Sequence, residues 1–507
     1  MNQIARERPC KLGRWQILAS ALTLTAAGAS QAAEWERSGG VSVGATYTDN
    51  VCLSRYDTED EVVGILTPDI RLKGQGARSY FDLYAAVEFN TLDDPGEECD
   101  VRGAKNVSPA PRMRLSSTTE LITNWAYLDL TGFADVNRAD PFAVGGESTI
   151  DGRGNLNRTY RYSVAPYLNR RFGGSTEAFL QYRYSEFFNS VDTVEDREMQ
   201  DVLFDIGTLP ELARFSVGLT GDYSKIEYKE REGGGDFFNN ELSSAKIRGA
   251  FNLDSEWQLN AYIGQEWNDF ISYYDDIDGT VWDVGLRWTP NTRVMIEVGT
   301  GERFFGSTPR ASISYRHKRS NLRFSYEREL TYDSNVRTSD LLFENLQDIL
   351  DNWTPGEDSI FLPDAFDTTV TNSPILDSRY MLVYSFKGRR TTLLLTGSYS
   401  EQRRMEDRYK DIFTDVGLSF RRRVSQRFSL LAGANWNRRE PDEMRGIVNM
   451  DSDIYRYSAG IEYHLGPHTT FSLIYEYFER DSDSESEGSQ YNEYEENQVT
   501  TRFDYRF

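Results

Sequence analysis

After residue 33 the 507-residue chain has no run approaching the roughly 18–20 apolar residues of a membrane-spanning helix. Histidine and cysteine are scarce, three of each, and nine lysines stand against 47 arginines. The histidines, His317, His464 and His468, belong to no Cys/His/Asp cluster with metal-ligand spacing. A transition-metal site is therefore not expected, and no cofactor is. No distinctive serine motif accompanies His464, so a Ser/His or Asp/His catalytic arrangement is not expected and the chain does not read as an enzyme. A net charge of −24 excludes nucleic acid as a natural partner. The missing apolar helix excludes only helical spans, because barrel strands cross a bilayer with about ten alternating residues each.

What is abundant is aromatic. Thirty Tyr, 28 Phe and nine Trp make up 13% of the chain, yet mean hydropathy is −0.60. Many aromatics in a hydrophilic average suit strands whose alternate residues face lipid and a polar lumen. The N-terminus supplies Arg6, Arg8, Lys11 and Arg14, an apolar stretch from Trp15 to Ala29, and small residues at Ser30-Gln31-Ala32. Residues 1–32 read as a secretory signal, leaving 33–507 as the mature domain. Cys10 departs with the signal. Cys52 and Cys99 remain as a candidate disulfide in an oxidising compartment, with two free thiols as the alternative.

The last nine residues, Val499 to Phe507, alternate strictly. Phe503, Tyr505 and Phe507 share one face, and Arg502, Asp504 and Arg506 the other. A terminal strand of this kind resembles the assembly signal of bacterial outer-membrane barrels. The same period recurs upstream: Trp282, Val284, Leu286 and Trp288 oppose Asp283, Gly285 and Arg287. Short turns containing Gly, Pro, Asn or Ser join such segments, as Gly74–Arg78, Phe172–Ser175, Thr289–Thr292 and Gly466–His468 do. The fold predicted is all-β: a transmembrane antiparallel up-and-down β-barrel of about 22 strands, within roughly 18–24. Both termini fall on the periplasmic side. The first strand is expected over Val41–Leu53, and a turn at Leu121–Thr123.

Long loops then lie outside the cell: 93–111, 137–156, 230–241, 333–377, 438–453 and 480–494. Several are acidic, as in Asp93–Asp100 and Asp481–Glu487. These read as solvated segments, with divalent-cation binding beside lipopolysaccharide as the alternative. The longest, 333–377, holds Leu341–Trp353 with helical spacing of apolar residues, a candidate constriction in the lumen or a cap outside it. Phase assigns Arg287, Arg310, Arg316, Arg323, Glu327, Arg421, Arg456, Glu462, Glu476, Arg502, Asp504 and Arg506 to the pore lining. They read as cross-strand Arg–carboxylate ladders that stiffen the wall, as a selectivity field, or as both.

The segments Tyr47-Thr48-Asp49-Asn50, Leu66-Thr67-Pro68-Asp69-Ile70 and Ala165-Pro166-Tyr167-Leu168-Asn169-Arg170-Arg171-Phe172-Gly173 resemble the outer-membrane β-barrel proteins associated with PEP-CTERM/exosortase systems, within the wider group of β-barrel porins. The resemblance implies a role around exopolysaccharide and supplies no catalytic residues. Asp49-Asn50 and Pro68 read as architectural, Pro68 requiring a bulge or local irregularity. The function expected is a porin-like conduit in a Gram-negative outer membrane, linked to exopolysaccharide production or export by passive passage through a charged lumen. A structural or adhesive surface protein with a closed lumen is the alternative. Membrane lipid, lipopolysaccharide and the barrel-assembly machinery are the expected partners. A plugged, energy-coupled receptor is not expected, because fewer than ten residues separate the cleavage site from Val41.

Overall fold

In the computed structural model every strand pairs antiparallel with its chain neighbours, and the first strand closes onto the last. Twenty-two strands make the wall; a further two-residue pairing, Gly306–Ser307, folds back on Glu302–Arg303 at one rim. The structure describes residues 34–507 except 57, 93–98, 100–107, 151–152, 192–194, 211–212, 230–238, 332–372, 443–450 and 483–492. The expected signal sequence, the candidate helix Leu341–Trp353 and most of the acidic loop residues lie outside that set.

Connections alternate strictly between short and long. Residues 76–78, 123–125, 173–175 and 388–390 are typical of the short rim, where the last strand Tyr494–Arg506 also ends. The turn 173–175 works because Gly173 and Gly174 adopt φ of 57° and 84°, a region that costs glycine nothing. Long connections share the opposite rim. Exposure follows the period of two. Val43 and Tyr47 are exposed on the first strand while Ser42, Thr46 and Thr48 are buried. On the last strand Val499, Phe503, Tyr505 and Phe507 are exposed. The apolar face therefore points outward and the polar face inward, the inverse of a soluble sheet. Aromatic pairs directly opposed across strands reinforce both ends of the apolar band. Tyr127–Tyr167, Trp257–Trp288 and Phe471–Phe503 lie toward the short-turn rim, and Tyr326–Tyr380, with ring centroids 4.2 Å apart, toward the long-loop rim.

The seam is built from nine residue pairs, Gly40↔Arg506 to Thr48↔Gln498. Phe507 exchanges both backbone hydrogen bonds with Gly39. Inside, Ser42 donates to Asp504, Thr46 meets Thr500 at 2.8 Å, and Thr48 donates to Glu496 at 2.6 Å.

Several boundaries differ from expectation. The first strand is Glu34–Thr48, not Val41–Leu53, because Asp49 and Asn50 turn the chain. Asp49 accepts from the backbone and side chain of Asn497, and Asn50 donates to the carbonyls of Ser54 and Glu495. These residues bind the first loop to the last strand. The turn expected at 121–123 lies at 123–125, where Asn124 takes φ 57° and a bulge between Glu120 and Ile122 absorbs the shift. Pro68 makes no bulge. Pairing to the strand Ser79–Asn90 lapses between Leu66 and Asp69 and resumes in register. Pro166 behaves the same way between Val164 and Tyr167. Each proline lacks the donor that one ladder position needs.

Candidate functional site

The inward face carries charge in pairs. Arg310 grips Asp283 with two bonds, at 2.7 and 3.1 Å, and also reaches Glu297 and, at 3.1 Å, Asn260. Arg287 joins the same Glu297 at 2.9 Å. Arg303 holds Glu266 through two nitrogens, at 2.9 and 2.6 Å. Arg421 meets Glu462 at 2.8 Å, and His464 Nε2 lies 3.2 Å from the same carboxylate. Arg456 meets Glu476 at 2.7 Å, and Arg506 lies 3.4 Å from Asp69. Arg316, Arg323, Glu327 and Arg502 occupy inward register positions as well. All twelve residues assigned to the lining thus sit on the inner face. The structure divides them among separate ladders along the wall and gathers them into no single ring.

The outer mouth is organised by residues that the sequence reading did not single out. The strand Ala126–Arg138 is followed by residues 139–150, which leave the wall and cross the interior, and by 153–155, which lead into the next strand. Phe142 stacks on Phe413, with centroids 5.6 Å apart. Val144 packs on Leu53, Phe478 and Tyr494, and Ile150 on Val51, Val63, Leu92 and the joined Cys52–Cys99 pair. Arg439 donates to the Pro141 carbonyl at 2.7 Å, and Arg480 to those of Phe142 and Ala143, both at 2.7 Å. Phe413, Arg439 and Arg480 belong to inward positions of strands far round the barrel, so the segment runs as a chord across the mouth.

The segment keeps its shape by itself. The Asn155 amide donates to the carbonyls of Asp140 and Gly145 and accepts from the Asp140 N–H. Gly146 sits at φ 90°, where an added Cβ would fall 2.8 Å from the Asn155 carbonyl. At its centre Glu147 is buried, 3.0 Å from Arg138 and 3.9 Å from Arg439. Burial would raise the Glu147 pKa, but Arg138, Arg439 and Arg480 outweigh it and hold the carboxyl below its ordinary value. Three guanidinium groups therefore converge on one carboxylate. The clue available in sequence was parity: Arg439 and Arg480 occupy inward positions at outer strand ends, where a solvated pore would place no buried cation. The aperture was instead expected from 333–377, most of which lies outside the described residues. Among the described residues no cluster of His, Cys, Asp and Glu could hold a metal.

No protein-family profile matches the chain, and no curated protein matches it in sequence. Neither result bears on the resemblance to exosortase-associated barrels. Solved structures do match. The ferric enterobactin receptor (PfeA) in complex with BCV-L6 aligns at TM-score 0.51 and 10% identity over 93% of this chain and 81% of that one. A point mutant of the Pseudomonas aeruginosa receptor in complex with enterobactin aligns at 0.50 and 11%, with the same coverage. The siderophore receptor PirA of Acinetobacter baumannii aligns at 0.49 and 9% over 92% of this chain and 80% of that one. The first two are structures of a ferric enterobactin receptor. With a folded segment across the mouth, this likeness overturns the expected passive exopolysaccharide conduit. The chain is a closed 22-stranded antiparallel barrel of the Gram-negative outer membrane, with the fold of ferric siderophore receptors.

Proposed function

We propose that the barrel takes up a ligand from outside the cell, binding it at the outer mouth and admitting it when residues 139–150 move. The observation that carries this reading is the chord itself. A passive pore needs an unobstructed mouth, whereas here a segment with its own internal hydrogen bonds is fastened to the opposite wall by Arg439, Arg480 and Phe413. Such a device moves only if something binds the open state more tightly than the closed one. The barrel fold of ferric enterobactin receptors supports the ligand class. A ferric catecholate is a bulky anion, and three arginines around Glu147 offer anionic oxygens a replacement for that carboxylate.

The test is a titration of the purified barrel with ferric enterobactin, read by tryptophan fluorescence and by hydrogen exchange in residues 139–150. Saturable quenching with faster exchange in that segment is expected. Absence of saturable binding would remove the ligand class, and binding with unchanged exchange would remove the gate.

A further inference from the structure

A second candidate site lies on the outside of the barrel. The strands Ser320–Thr331, Ile375–Lys387 and Thr391–Arg404 present three successive outward rows near the long-loop rim. Tyr326, Tyr380 and Tyr399 are directly opposed across the strands, as are Arg328, Ser378 and Glu401 one step outward. Leu376 and Arg403 pair one step beyond that. These side chains line a cleft of about 440 Å³, within the size range of small-ligand sites. The alternate residues Arg379, Ser400 and Gln402 are buried in the interior, which fixes the cleft on the lipid side of the wall.

Its floor and rim differ in chemistry. Tyr380 and Tyr399 are exposed, at the level where aromatic girdles meet lipid headgroups. Above them Arg403 lies 3.3 Å and Lys410 3.7 Å from Glu401, so that carboxylate is countered twice. Arg328 gives two of its N–H groups to the carbonyls of Ser307 and Phe305. A guanidinium has five N–H donors, so the carbonyl pair anchors Arg328 without exhausting it. Two cations thus counter the one acid of the cleft, and Arg328 stands on the same row with Ser378 between it and Glu401. On the next two strands the balance reverses: Glu440 follows Glu401 and Ile412 on the same outward row, and with Asp451 and Asp453 it flanks Arg438.

We propose that this cleft binds the phosphorylated headgroup of lipid A in the outer leaflet. Arg328 and Arg403 take the phosphate as charge-assisted donors, and the tyrosine row supports the sugar and the start of the acyl chains. The site is separate from the mouth and does not depend on the uptake reading.

The experiment uses the full barrel in nanodiscs, with native mass spectrometry counting retained lipid. The probes are bisphosphorylated lipid A, phosphate-free lipid A and phosphatidylglycerol. Wild type should retain bisphosphorylated lipid A at least about tenfold better than the phosphate-free form, and R328Q/R403Q should lose that preference while remaining a heat-modifiable barrel. Equal retention of the two lipid A forms by wild type would overturn the proposal, and this arm needs no variant to fold. Equal retention of phosphatidylglycerol would overturn the assignment to lipid A. Undiminished preference in R328Q/R403Q would overturn the assignment to these arginines.

Discussion

Replacing Glu147 by glutamine should release the chord while leaving the barrel intact. The substitution keeps the side chain's size and one acceptor for Arg138, but removes the carboxylate charge that opposes three buried or half-buried guanidinium groups. Breaking a buried ion pair from one side costs about 3–5 kcal/mol. Arg439 and Arg480 keep their bonds to the carbonyls of residues 141–143, so the lower end, about 3 kcal/mol, applies. At roughly 1.4 kcal/mol per factor of ten, the ratio of docked to undocked segment should fall by about two powers of ten. Hydrogen exchange in residues 139–150 reads this opening directly and should quicken by that factor, with amides of the wall unchanged. The pH dependence follows from the same cluster. The Glu147 pKa is lowered in the folded state, so its contribution is complete above the ordinary value of 4.5 and is lost as pH falls through the lowered value. Wild type should loosen on acidification, and E147Q should lack that component. Unchanged exchange in E147Q would show that Phe142, Val144 and Ile150 hold the segment alone.

Other expectations can be checked on the same preparation. G146A should also free the chord, because its Cβ would meet the Asn155 carbonyl at φ 90°; exchange equal to wild type would contradict the close approach. Cys52 and Cys99 should resist maleimide until reductant is added, whereas equal labelling before and after would mean free thiols. R421M takes the guanidinium away from the fully buried Glu462 and should destabilise the barrel by about 3–5 kcal/mol in urea titration. Removal of Phe507 deletes both backbone bonds to Gly39 and an exposed ring, and should lower membrane-assembled protein; unchanged levels would argue against a terminal assembly signal.

The wall was legible in the sequence because strand parity is local. A period of two in Val499–Phe507 or Trp282–Trp288 reports which face meets lipid without any knowledge of neighbours, and all twelve lining residues fall on the inner face for that reason. Strand ends were less legible. Asp49 and Asn50 stop the first strand through partners in the last one, more than 440 residues away in sequence. Pro68 lapses one ladder without shifting register, a choice that depends on the partner strand. The chord was missed for a deeper reason. Residues 139–150 carry no periodicity, and their position is set by contacts with Phe413, Arg439 and Arg480, which no local pattern joins to them. Loop length drew attention to 333–377 instead. The twelve charges, read as wall-stiffening ladders, as a selectivity field or as both, are largely drawn into cross-strand pairs, as with Arg310 between Asp283 and Glu297.

Locking residues 139–150 in place would show whether uptake passes a gate at the mouth. F142C and F413C place thiols where the two rings now stack, and a short bis-maleimide can bridge them without touching the native Cys52–Cys99 pair. Cells producing wild type or either single variant should accumulate radiolabelled ferric enterobactin, and the cross-linked double variant should not. Equal accumulation with the segment locked, or none in wild type, would contradict the account.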